Sequence, residues 1–194
     1  MLTDLPNLLT LSRIAAIPLL VLFVAFQTPV TDFIAALIFT AAGITDYLDG
    51  YLAREYAQLS DFGRMLDPIA DKLLVGATLM ALVGLGHLPG LGLYPAIVIM
   101  LREILVSGLR EYLAQIRVGL PVTRLAKWKT GVQMTALGLL LLGSKGARVI
   151  GLGHWPIDAM GAVLLWVAAA LTLITGWDYL RAGLKHVGGP AKSA

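Results

Sequence analysis

Six stretches of this chain stay apolar for about the thickness of a lipid bilayer, and that feature leaves few folds open. They cover roughly 8–27, 31–53, 67–86, 93–113, 129–143 and 156–180. A helix needs about 20 residues at 1.5 Å each to cross the hydrocarbon layer, where every backbone N–H and C=O must be satisfied internally. The runs therefore predict an all-α integral membrane protein with six transmembrane helices. The fifth run is the shortest, and it reaches spanning length only by borrowing from the preceding "KWKT" or from residues after Lys145. With 58% of its residues hydrophobic and 14% charged, the chain falls outside the range of soluble domains. Its 194 residues leave room for one membrane domain, 1–194, and for no separate soluble one. The first run carries Arg13 and Pro18 and lacks a small-residue cleavage site, so it reads as a retained helix. The chain has no cysteine, which excludes disulfides and thiolate metal sites.

The charges orient the helices. If the amino terminus is cytoplasmic, Arg13, Arg54, Arg64, Lys72, Arg102, Arg110, Arg117, Arg124, Lys127, Lys129, Arg181, Lys185 and Lys192 fall toward that side. Only Lys145 and Arg148 fall opposite. Such asymmetry predicts a multi-pass protein with an even number of spans and both termini in the cytoplasm. The formal charge of +3 is then a mark of topology, and no nucleic acid is implied. Trp128, Trp155 and Trp177 lie near span ends, where indole rings anchor to the interface. The charged stretches 46–55, 61–72, 102–111 and 117–129 converge on the cytoplasmic ends of the second to fifth spans, which predicts an active-site cavity at that side.

Residues 45–72, "TDYLDGYLAREYAQLSDFGRMLDPIADK", hold half of the chain's acidic residues. Asp46 and Asp49 are three apart and share a helix face, as do Asp67 and Asp71 at a spacing of four. Four unpaired aspartates in lipid would be disfavoured by on the order of 10 kcal/mol, so they must face water, a cation, or both. Clustered carboxylates resolve their repulsion by sharing protons or binding a divalent ion, and oxygen donors suit Mg²⁺ or Mn²⁺, common partners of substrate phosphates. Gly43, Asp46, Gly50, Ala53 and Ala57 recur at three- and four-residue intervals, a spacing that fits close helix packing as well as a ligand cleft. Arg54 beside the carboxylates is a ready partner for a phosphate. Asp61 reads as a solvated loop charge, and Pro68 is expected in the first turn of the third helix.

Written out, the stretch is D-x2-D-G-x2-A-R-x8-G-x3-D-x3-D, from Asp46 to Asp71. This resembles the signature of the CDP-alcohol phosphatidyltransferases at every position, without a gap. The resemblance implies transfer of a phosphatidyl or similar group from a CDP-linked donor to an alcohol, with release of CMP. It makes Asp46, Asp49, Asp67 and Asp71 ligands of Mg²⁺ or Mn²⁺, two ions in all, and Asp71 also the general base. It places the CDP donor on Gly50, Ala53, Arg54, Ser60 and Gly63, with Asn7 and Thr10 of "PNLLT" contributing from the amino terminus. Asn7 fits a helix N-cap equally well. Relatives are typically homodimers in the bacterial cytoplasmic membrane, and the same is expected here.

The signature identifies the donor and leaves the alcohol open. "LREILVSGLREYL" (101–113) and "TRLAKWKTGVQM" (123–134) resemble stretches of phosphatidylglycerophosphate synthases, "KWKT" followed by Gln most of all. That implies sn-glycerol 3-phosphate as acceptor and CDP-diacylglycerol as donor, in phospholipid biosynthesis. Arg102, Arg110, Arg124, Lys127 and Lys129 are the candidate acceptor-phosphate residues, since an acceptor carrying a phosphate needs such a cluster and serine does not. The same residues also fit inside-loop charges paired with Glu103 and Glu111. Inositol phosphate is the alternative acceptor. A cation or proton transporter would also carry intramembrane aspartates, but transport predicts acids near the midplane and paired halves, and neither pattern is present.

Overall fold

The computed structural model describes residues 5–55, 61–116, 118–119 and 124–187. These residues form six helices and no strand: α1 (Leu5–Ala25), α2 (Pro29–Glu55), α3 (Asp61–Gly84), α4 (Leu93–Gln115), α5 (Arg124–Ala147) and α6 (Ile157–Val187), with a short 3₁₀ turn at Arg148–Ile150. Each of the six apolar runs becomes a helix. Three of them, over Asn7–Ala25, Pro29–Asp46 and Ile157–Leu184, are long and apolar enough throughout to cross a membrane.

Local chemistry sets the boundaries. The α1–α2 turn ends in a reciprocal cap, with Thr31 N–H donating to Thr28 Oγ1 at 3.3 Å and Thr28 N–H to Thr31 Oγ1 at 3.0 Å. Pro29 stands at the first helical position, where no N–H is needed. Pro68 lies inside α3, which begins at Asp61. That corrects the first-turn expectation: the helix starts two turns earlier, and Asp61 belongs to it. The weak fifth run gains length at both ends, taking in "KWKT" and running on to Ala147. It does so by bending at Gly143, whose φ of 55° and ψ of 172° suit glycine alone. Beyond the bend the helix is re-capped from α6, since Asp158 accepts the Ser144 N–H at 3.1 and 3.2 Å on its two oxygens.

The helices pack as a ring. α1 lies against α2 and α3, α2 against α5, α5 against α6 and α6 against α4, whereas α3 touches α4 and α5 only sparsely. The core between them is built of Phe39, Leu74, Leu79, Ile99, Leu137 and Leu140, interleaved with alanines that let the helices approach. The outside is also apolar: α3 exposes Ile69, Leu73 and Met80, α4 exposes Leu101, Ile104 and Leu105, and α6 exposes Val163, Trp166 and Leu173. Exposed apolar surface on this scale is foreign to a soluble monomer. Asp71 and Lys72 of α3, Arg102, Glu103, Arg110 and Glu111 of α4, and Lys127 and Lys129 of α5 instead gather where the ring is loosest.

Candidate active site

The loose seam between α3 and α4 opens into a cavity of about 1160 Å³ walled by α3, α4, α5 and α6. From α3 come Asp71, Lys72 and Val75, and from α4 Arg102, Glu103, Ser107 and Arg110. α5 adds Lys127, Lys129 and Gln133, and α6 adds Tyr179. One wall is thus a carboxylate and the facing walls are largely cationic. Asp71 makes no hydrogen bond or ion pair with a described residue, and the charges of Asp46, Glu103, Lys129 and Arg13 all reach it.

The cations are fixed by neighbours on other helices. Arg102 donates from Nη2 to Thr175 Oγ1 at 3.2 Å and from Nη1 to Glu103 Oε1 at 3.3 Å, while its Nε is buried without a partner among the described residues. Its stem lies across Gly176, where a β-carbon would come within 3.0 Å of Arg102 Cγ. Arg110 donates from Nη2 to the Tyr179 hydroxyl at 3.0 Å. The Tyr179 ring sits under both guanidinium groups, 5.6 Å from Arg102 and 4.9 Å from Arg110, within cation–π range. Lys129, 4% exposed, is paired with Glu103, and Lys72 donates to Ser107. Paired carboxylate and hydroxyl groups hold these cations in place without cancelling the excess of positive charge, as an anion-binding wall requires.

Below this wall, α1 supplies one polar face to the signature helices. Asn7, Thr10 and Arg13 follow at three-residue spacing, and all three are buried. Thr10 Oγ1 donates to Asp67 Oδ1 at 2.6 Å, and Arg13 Nη1 meets Asp46 Oδ1 at 2.6 Å. The Arg13 side chain is fully buried while that of Asp46 is half exposed, so the pair aims the carboxylate outward from a fixed base. Donors at Asp46, Asp67 and Asp71 are oxygen throughout, the set that suits a hard divalent ion. Among the described residues no three acidic or histidine side chains are gathered closely enough to hold a metal. The fourth aspartate of the signature, Asp49, has its side chain outside the described residues, as do Ala53 and Arg54.

The remaining expected site residues divide clearly. Arg102, Arg110, Lys127 and Lys129 converge on one cavity with Asp71. Arg124 does not: it is the exposed first residue of α5 and is not among the lining side chains, which on α5 begin at Ala126. Gly63 is buried in the first turn of α3; Gly50 lies on α2, and Ser60 falls outside the described residues. Arg13, Glu103, Ser107, Thr175 and Tyr179 were not expected as site residues. For Arg13 the signal was present, a charge within an otherwise lipid-grade helix, which belongs on an interior face.

A family model for the CDP-alcohol phosphatidyltransferases matches residues 3–174. The CDP-diacylglycerol–glycerol-3-phosphate 3-phosphatidyltransferase of Rickettsia bellii is 48% identical over 94% of this chain and 97% of its own length. The protein of that name from Rickettsia felis is 46% identical over 94% and 97%. Its counterpart from Cereibacter sphaeroides is 40% identical over 95% and 97%.

Proposed function

The chain belongs to the CDP-alcohol phosphatidyltransferase family, and we propose that it transfers the phosphatidyl group of CDP-diacylglycerol to sn-glycerol 3-phosphate, giving phosphatidylglycerophosphate and CMP. One observation carries this reading: Asp71 and a wall of Arg102, Arg110, Lys127 and Lys129 share a single cavity. The wall takes the acceptor's phosphate, and this brings the primary hydroxyl toward Asp71. That hydroxyl oxygen attacks the phosphorus bearing the diacylglycerol, the bond from phosphorus to the bridging oxygen breaks, and CMP leaves with the electron pair. Asp71 takes the hydroxyl proton. Holding both partners in one cavity supplies much of the rate by orientation alone.

The signature carboxylates, Asp46, Asp49, Asp67 and Asp71, are the residues that would hold Mg²⁺ or Mn²⁺, which when bound would neutralise charge building on the donor's phosphates. Thr10 and Arg13 keep two of those carboxylates aimed, and Asn7, Gly50, Ala53, Arg54, Ser60 and Gly63 form the donor-nucleotide side in this reading. The relatives' names favour glycerol 3-phosphate over inositol phosphate as acceptor. All six helices span the membrane: α3 and α4 turn apolar side chains outward, while Asp71, Lys72, Arg102, Glu103, Arg110 and Glu111 line the cavity, which lets a helix with several charges lie in lipid. The asymmetry of Lys and Arg then supports cytoplasmic termini and a cavity open to the cytoplasm, and in this reading the protein works in the bacterial inner membrane as a homodimer.

The test is CMP release from CDP-diacylglycerol by purified protein, with glycerol 3-phosphate, inositol phosphate, serine or glycerol as acceptor, with Mg²⁺ or with a chelator. Release with glycerol 3-phosphate and Mg²⁺ is expected. Release with none of the four would overturn the proposal.

A further inference from the structure

Gln133 lies one helical turn beyond Lys129 on α5, so the two side chains follow each other along one face, and both line the cavity. Among the described residues Gln133 is the one amide of that lining. It is 3% exposed, and its Oε1 is buried without a hydrogen-bond partner among the described residues. The cations around it have partners of their own: Lys129 and Arg102 share Glu103, Arg102 also donates to Thr175, and Arg110 donates to Tyr179.

An amide oxygen in such a place does nothing for a phosphate, which is itself an acceptor of hydrogen bonds. It needs a donor. A buried acceptor left without one is disfavoured, and native interiors rarely keep such groups without a reason. The terminal torsion of glutamine is soft, so the oxygen turns toward the cavity at little cost when a donor arrives.

We propose that Gln133 is a specificity residue that accepts a hydrogen bond from the acceptor's non-reacting hydroxyl, the secondary O–H next to the hydroxyl that attacks. This rests on the reading of glycerol 3-phosphate as acceptor given above. The phosphate is held by guanidinium and ammonium groups, the primary hydroxyl faces Asp71, and the secondary hydroxyl donates to Gln133 Oε1. The enzyme thereby distinguishes a vicinal diol phosphate from a simple hydroxyalkyl phosphate. A site with an amide committed to a hydroxyl rejects the analogue lacking it, because the amide is then left unpaired.

The probe is 3-hydroxypropyl phosphate, which keeps the phosphate and the primary hydroxyl and lacks only the secondary one. Wild-type protein is expected to prefer glycerol 3-phosphate in kcat/KM by roughly 10- to 100-fold. Gln133→Met, of similar length and without the amide, should shrink that preference to about threefold or less, chiefly through a higher KM for glycerol 3-phosphate. Gln133→Glu keeps an acceptor oxygen and should retain the preference while weakening both acceptors alike through its charge. A Met variant that slows both acceptors equally, with the preference intact, would overturn the assignment. Calorimetric titration of the wild type with the two phosphates needs no variant, and equal affinities would overturn it as well. Wild-type protein active with neither acceptor refutes the functional reading itself, an outcome distinct from those two.

Discussion

Replacing Tyr179 with Phe removes one oxygen from the cavity wall and nothing else. That oxygen accepts from Arg110 Nη2 at 3.0 Å, while the ring, 5.6 and 4.9 Å from two guanidinium carbons, stays in place. A hydrogen bond to a charged group contributes about 1.5–3 kcal/mol, and Arg110 is exposed enough to water that the lower end applies. About 1.5 kcal/mol is roughly tenfold in affinity, so KM for glycerol 3-phosphate should rise about tenfold with kcat nearly unchanged. Tyr179→Leu also removes the ring, whose two cation–π contacts contribute about 0.5–1 kcal/mol each, and should raise KM by roughly another tenfold. Initial rates of CMP release over a range of acceptor concentrations, at saturating CDP-diacylglycerol, separate the two parameters. A KM within twofold of wild type for Tyr179→Phe, or a fall in kcat at constant KM, would refute the idea that Tyr179 positions the phosphate-binding arginines.

Asp71→Asn should lower turnover by about 10²–10⁴-fold, the range for a lost general base, while the protein still inserts and folds; a normal rate measured by CMP release would remove Asp71 from that role. Arg13→Ala leaves a guanidinium-sized gap beneath Asp46 and should cost about 1–2 kcal/mol of stability, below the figure for a fully buried pair because Asp46 is half exposed. A lower Tm in detergent checks it, and an unchanged Tm contradicts it. Gly143→Ala forces a β-carbon into a conformation with φ of 55° and within 3.1 Å of Asp158 Oδ1, so it should cost about 1–3 kcal/mol in a thermal melt. Because Gly143 lies at the opposite end of α5 from Lys129, the kinetics of the folded fraction should not change.

The six helices were legible because lipid demands long apolar runs, and each run became one helix. Their ends were less so. α2 and α3 continue as helix through the charged signature, past the point where apolarity stops, and α5 crosses Gly143 because Asp158 on another helix caps it afresh. The spacing of Asp46, Asp67 and Asp71 was readable in sequence, and so was the cationic character of α4 and α5. Tyr179 was not: it lies 69 residues from Arg110, and nothing near it in the chain marks it as a partner. Arg124 lies outside the lining for the opposite reason, since proximity to Lys127 in sequence does not by itself bring an exposed first-turn residue into a cavity. Ring topology decides both, and it depends on α6 standing between α4 and α5.

The central claim is that one cavity joins a phosphate-bearing acceptor to the phosphatidyl group. The most direct measurement supplies purified protein with CDP-diacylglycerol, Mg²⁺ and sn-glycerol 3-phosphate labelled with ³²P, then separates lipid from water-soluble products. The account predicts label entering the lipid fraction in a one-to-one ratio with CMP released. CMP release with the label left wholly in the aqueous phase would contradict it.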